Sequence, residues 1–476
     1  MPGKRQRGDG DGRTTVVRNP TEARATSSAD LESMLKQALS RIGYLEKQHE
    51  EIKMSMERET RALRDDINEA LKWSLDRLAS KARERWEYPV VNQPYEYWQS
   101  KGYDDHAIID LEYGFLNYLK KAVSALEHGV CDSIRVGHVN HDEDLMPHWN
   151  ALFRSFEHIN PYGEGVDLYL YSIELNEEVM QQICHNLRKR NISQVSFHTV
   201  EFTNLRGAIS ELGNALKSQE LKYLKWSEIP IESVEDMTLF TRVLSQSNAV
   251  DQLEFAENGN ENARVLLSDV DFSMYKSLDF SFNDLQMNGR TDIPDLIASN
   301  PPLEDLNLCG NRLNDDDAVL IALSLGGNTH LGLLNLANNN IQERGMRALY
   351  KAVNDTSTLN ALSDSNHSCH LEGLTDDFDL DAINFDSGSN GLHMNRICKI
   401  HKLMVERYRN GDGNVSHLNT DMRGEGSVHL APFIIESVVR RDKLSPEMYL
   451  EGFECSLGLL YELVKDWKMA ELFSFR

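Results

Sequence analysis

The stretch Leu303–Leu313 reads LEDLNLCGNRL and the stretch Leu331–Ile341 reads LGLLNLANNNI, so one phrase is written twice, 28 residues apart. Counting the first residue of each as position 0, apolar residues stand at 0, +3 and +5. Polar residues separate the last two, so +3 and +5 point to one side of a short strand. The pattern recurs outward from these two copies. It starts at Ile192, Leu221, Val250, Tyr275, Leu303, Leu331 and Leu359, in steps of 25 to 29 residues. Weaker starts lie near Gly165 (Leu168, Leu170) and at Cys131 (Ile134, Val136). A period of this size marks stacked supersecondary units.

Position +8 is asparagine in four units: Asn258, Asn283, Asn311 and Asn339. A side-chain amide there satisfies backbone groups where the chain turns off the strand, and stacked copies form a ladder. The rest of each unit, such as DDDAVLIALSLGGN or RGMRALYKAV, has helical spacing. Asp315, Asp316 and Asp317 stand where a helix N-terminus favours negative side chains.

The strand, asparagine turn and helix resemble the leucine-rich repeat in its long, ribonuclease-inhibitor-like form. The resemblance covers roughly Asp132 to Glu372 and is strongest in the units at Tyr275, Leu303 and Leu331. It implies an α/β right-handed solenoid, a horseshoe with a parallel sheet inside the curve and helices outside. At Leu359 the pattern breaks, with Asp364 at +5 and SNHSCH replacing the loop. An unpaired inward aspartate is costly to bury, so this unit is expected to end the stack as a cap. LNALSDSNHSCHL, ICKIHKLMVERY, NVSHLN and the tail LGLLYELVKDWKMAELF are also similar to uncharacterised leucine-rich-repeat proteins of diatom-type algae. That likeness implies no activity.

In a horseshoe, +2, +4 and +6 face the concave side. The +4 column runs Tyr169, Ser196, Lys225, Glu254, Asp279, Asn307 and Asn335, flanked by Tyr171, His198, Tyr223, Asp305 and Cys309. Aromatic residues gather toward the N-terminal half and acid toward the middle. Aromatic anchors beside charge suit protein recognition. The residues expected to bind a partner are Tyr169, Tyr171, His198, Tyr223, Lys225, Glu254, Asp279, Asp305, Asn307 and Asn335.

On either side of the repeats the chain changes character. Residues 1–28 are Gly-, Arg- and Thr-rich with few large apolar residues and read as a disordered basic tail. Its GKRQR reads as solvated tail ahead of a nuclear import signal. In 29–85, Leu31, Leu35, Ala38, Ile42, Leu45, His49, Ile52 and Met56 follow alternating 4- and 3-residue steps, a heptad seam. The register fails at Glu59 and Asp66 and resumes on a shifted face at Ile67, Leu71, Leu75 and Leu78. A self-associating coiled coil is expected; a helix folded back on its own chain is the alternative. Residues 86–130 carry Trp86, Tyr88, Tyr95, Tyr97, Trp98 and Tyr103, then a helical segment near Ile108–Glu127, and read as a cap over the first repeat. Residues 373–392 read as an acidic loop. Residues 393–476 read as a helical segment with helices near Met394–Tyr408, Val428–Arg441 and Glu447–Trp467.

The formal net charge is −25, of which residues 251–390 supply −17 (24 Asp/Glu against 7 Lys/Arg). Such a surface disfavours nucleic acid and anionic membrane and favours a basic partner. The six cysteines are scattered with no C-x-x-C, and the N-terminus lacks a secretory apolar core. An intracellular location, cytoplasmic or nuclear, is expected. No P-loop, G-x-S-x-G, H-E-x-x-H or paired Cys/His spacing occurs. DFDLDAINFDSG from Asp377 imitates a calcium loop but has Ala382 at the glycine position and Gly388 at the glutamate position. NGDGNVSHLNTD from Asn410 fails the same way, at Val415. HSCH, His367 to His370, lacks a second ligand pair and reads as a capping turn. No cofactor, metal or catalytic residue is expected. The function expected is a non-enzymatic interaction scaffold. The alternative is a regulator of another enzyme, such as a GTPase-activating protein, for which Arg312 would be the presented arginine.

Overall fold

Side chains at +3 and +5 are buried in unit after unit: Leu224 and Trp226, Leu253 and Phe255, Leu278 and Phe280, Leu306 and Leu308, Leu334 and Leu336. A computed structural model describes residues 28–81, 86–247, 249–383, 387–409, 430, 432–434 and 436. It divides into two units, residues 1–76 and 77–476. The second holds nine strands: β1 (Ser133–Val139), β2 (Val166–Leu175), β3 (Ile192–Phe202), β4 (Tyr223–Ser227), β5 (Gln252–Glu254), β6 (Ser277–Asp279), β7 (Asp305–Asn307), β8 (Leu333–Asn335) and β9 (His370–Glu372). They form one sheet in sequence order, and every neighbouring pair is parallel. The chain is therefore a repeat of strand–helix units.

Helices fill each crossover and pack side by side as a second layer. Their apolar faces join the +3 and +5 side chains in one continuous core. A file of aromatic rings runs through it: Phe197 to Trp226, 5.7 Å; Trp226 to Phe240, 5.0 Å; Phe240 to Phe255, 5.9 Å. The helix Asp315–Leu325 begins as its three aspartates predict, with Asn314 and Asp317 forming a reciprocal capping box.

The asparagine ladder forms. Asn311 Nδ2 donates to Phe280 O and Leu308 O, each at 2.9 Å, while its Oδ1 accepts from Asn283 N and Leu285 N. Asn258, Asn283 and Asn339 repeat the arrangement with their own neighbours. A second regularity accompanies it. Position +7 lies in the left-handed region in the eight units of β1 to β8: His138, Ser172, Thr199, Glu228, Glu257, Phe282, Gly310 and Asn338, with φ from +48° to +67°. This ladder includes the weak starts at Cys131 and Gly165, which are full members of the stack.

Three expectations change. Leu359 does not open a strand; Leu359–Asp364 is a helix, and the ninth strand lies at His370–Glu372. Asp364 is exposed, so no inward aspartate needs a partner. The acidic segment 373–392 is partly helical, with Leu380–Ile383 and the start of Ser387–Arg409 inside it. HSCH supplies a buried histidine and one residue of β9: His367 Nε2 lies 3.2 Å from Ser363 O.

Before β1, the segments Asp105–Ile109, Asp110–Leu116 (π-helical) and Asn117–His128 continue one into the next, and the last two pack along the first strand. Trp98 is buried among them, and Tyr88 stacks on buried His148 with its hydroxyl 2.9 Å from Nδ1. After β9, the helix Ser387–Arg409 places Lys399 Nζ 2.5 Å from Val353 O and 3.1 Å from Asn366 O. The other unit holds all but the last five residues of the 54-residue helix Ser28–Lys81. The basic tail, most of the proposed Val428–Arg441 helix, the Glu447–Trp467 helix and the NGDGNVSHLNTD segment lie outside the described residues.

Candidate binding face

Because +3 and +5 point into the core, +2 and +4 emerge on the opposite, open side of the sheet. The strand register aligns +4 across all nine strands: Arg135, Tyr169, Ser196, Lys225, Glu254, Asp279, Asn307, Asn335 and Glu372. The sequence-derived column is therefore continuous, with Arg135 and Glu372 added at its ends. The +2 column aligns likewise and brings Asp167, Gln194, Tyr223, Gln252, Ser277 and Asp305 side by side. Tyr171 and His198 are neighbours at +6.

Lateral pairing decides which of these groups remain available. Arg135 lies over the Tyr169 ring at 5.2 Å, and Tyr169 donates to Asp167 Oδ2, which also belongs to the carboxylate bonded by Ser193. Glu254 accepts from the Tyr223 hydroxyl and pairs with Lys225 Nζ at 2.5 Å. Burial, then this bond to Glu254, holds the Tyr223 phenol far above its usual range, so it stays a donor. Asp279 accepts from Asn307 Nδ2 at 2.7 Å and from Ser281 N. Asn335 Oδ1 accepts from Ala337 N. At mid-sheet Lys225 and Glu254 thus offset each other and Asp279 is held by neutral donors, which composition does not reveal. Asp305, by contrast, is exposed.

The edge at +6 and +7 is richer than the sequence reading allowed. His138 meets the Tyr171 ring edge-on at 5.0 Å, and His198 Nε2 lies 3.9 Å from Glu228 Oε2. Tyr171 fits because Gly137 faces it; a Cβ there would sit 2.3 Å from Tyr171 O and 2.7 Å from the ring. Phe282 repeats the device over Gly310 and is 54% exposed. Phe282, Glu228 and Glu257 were missed because a non-glycine residue at positive φ leaves no trace in sequence. Gly310 was the hint.

No protein-family model matches the chain, and no curated protein matches it. Among the described residues no helix is long and apolar enough to cross a membrane, and no group of three or more His, Cys, Asp or Glu is arranged to hold a metal. A cavity of about 470 Å³ at the N-terminal ends of β1–β3 includes Cys131, His158 and Asp167. Its reactive groups are engaged: His158 pairs with Glu127 at 3.1 Å, Asp167 with Ser193, and burial pushes the Cys131 thiol up to about 11.

Proposed function

We propose that the chain is a non-enzymatic interaction scaffold whose open sheet face grips a basic segment of another protein. On this reading the strand–helix units form a right-handed horseshoe of the ribonuclease-inhibitor-like type, with the open face concave. Right-handed crossovers are the rule for parallel strands, and the asparagine ladder supports the repeat type. The observation that carries the proposal is the change of chemistry along one aligned face. Tyr169, Tyr171, His198 and Tyr223 lie toward β1–β4, and exposed Asp305 and Glu372 lie toward β7–β9, with Glu228 and Glu257 on the rim. Aromatic anchors supply contact area at low entropic cost, while acid at the far end steers and orients a cationic ligand.

The alternative, stimulation of GTP hydrolysis, requires Arg312 to reach a nucleotide. Its Nε and Nη2 each donate to Asp284 at 2.8 Å, which favours the binding reading. The free, buried thiols of Cys184, Cys369 and Cys398 support placement in the reducing interior of the cell.

Panning a random displayed-peptide library on the full chain tests the reading. Enriched peptides should combine Lys or Arg with an aromatic or large apolar residue. Tyr171→Ala should weaken them about tenfold and Asp305→Lys about fivefold. Enrichment without charge bias, or binding indifferent to both substitutions, rejects it.

A further inference from the structure

The helix Ser28–Lys81 runs unbroken through the point where its heptad pattern fails. From Leu45 onward most of the large apolar residues fit a different period. Leu45, Met56 and Ile67 recur every 11 residues. Ile52, Leu63 and Ser74 do the same, as do His49, Thr60 and Leu71. Eleven residues in three turns is 3.67 per turn, close to an ordinary straight helix, so these three columns stay on one face without a left-handed supercoil. The apolar members are 54% to 62% exposed on this chain. The hydroxyls among them are already satisfied: Thr60 Oγ1 donates to Met56 O at 2.7 Å and Ser74 Oγ to Ala70 O at 2.9 Å. Burying this face therefore strands neither hydroxyl.

We infer that this face is covered by a second copy of the same chain, parallel and in register, with an 11-residue seam following a short heptad one. Charge selects the occupant and its direction. At this period Gln48, Glu59 and Ala70 flank the seam on one side, and Lys53, Arg64 and Leu75 flank it on the other. In a parallel pair opposite flanks meet, so Glu59 of each copy faces Arg64 of the other, and Ala70 faces Leu75. Arg41 and Glu46 pair the same way in the heptad part. In an antiparallel pair each flank meets itself, setting Lys53 and Arg64 against basic groups and taking Glu59 away from Arg64. A helix of 54 residues spans about 80 Å and buries roughly 2,000 Å² in such a dimer, an area typical of stable ones. The two chains then leave the coil at the same end, so their repeat units continue from adjacent points.

The full chain should show the light-scattering mass of two copies. Met56→Asp combined with Ile67→Asp should reduce it to one, with the sheet's thermal transition retained. Glu59→Lys should raise the dimer dissociation constant about tenfold, and adding Arg64→Glu should restore it. Under mild oxidation, Leu35→Cys and Leu71→Cys should each form a self-linked dimer beyond what the unsubstituted chain forms. Linkage only when the two variants are mixed means antiparallel pairing and overturns the inference. A monomeric full chain overturns it too and leaves the seam for its own chain or another protein; a three-copy mass overturns the two-chain assignment. None of these readouts involves the open face, so the inference and the proposed function fail separately.

Discussion

Replacing Asn311 by alanine removes an amide that serves four backbone groups belonging to two adjacent units. The side chain is buried, so water does not replace it, and the variant should lose about 3 kcal/mol, read as a lower urea midpoint at unchanged slope. Lys399 makes a different demand. Burial lowers its amine to about 8 from the ordinary lysine value of 10.5. Below about pH 8 both folded and unfolded chains hold the proton. Between there and about 10.5 only the unfolded chain does, so stability attributable to this residue rises with pH across that window. The gap between the wild type and Lys399→Met should therefore move in favour of the wild type by about 3 kcal/mol on going from about pH 7.5 to about pH 10.5. A constant gap in denaturant titrations would show that the amine does not titrate between states. Asn311 was legible from spacing alone, because its partners are fixed by the repeat. Lys399 was not, because Val353 and Asn366 reach it only through tertiary packing.

Among the elements, β7 and β8 stood out in the sequence because leucines fill +3 and +5 and asparagine fills +8. The strands β1 and β2 were faint: they are long, their units lack the asparagine, and their turns use His138 and Ser172 at positive φ. The ninth strand was misplaced because a helix intervenes after Glu343–Val353 and lengthens the unit. A signal did exist. Asn328 accepts from Leu331 N three residues on, and Asn366 accepts from Cys369 N in the same way, so Asn366 announces the strand that opens at His370. At this scale the cap of Asp315–Leu325 gives a clean prediction. Asn314→Ala removes the acceptor for Asp316 N and Asp317 N and should cost about 1 kcal/mol, seen as faster amide exchange across that helix's first turn.

For the molecule as a whole, the acid excess has a measurable consequence. Residues 251–390 carry −17, and the pairs that relieve it, such as Lys276–Asp251 at 3.2 Å and Arg344–Asp315 at 3.8 Å, are few. Salt should therefore stabilise the sheet unit. Raising NaCl from about 20 mM to about 500 mM should lift its melting temperature by about 3–5 °C. A drop would mean that attractive pairs outweigh the repulsion. The open face was legible as columns of residue types, but which members neutralise each other, as Tyr223, Lys225 and Glu254 do, depends on distances between strands.

Eight units turn their +7 residue into a conformation that suits glycine, yet only Gly310 among the eight is glycine. A side chain there costs about 1 kcal/mol of backbone strain. The rim is thus a row of positions where fold and surface make opposing demands. Glu257→Gly, which retains the backbone bond to Ser281 O, should make the protein more stable while deleting a charge from the edge of the face. Variants selected only for heat resistance should accumulate there, and under the proposed function they should be the ones that bind a basic ligand less well.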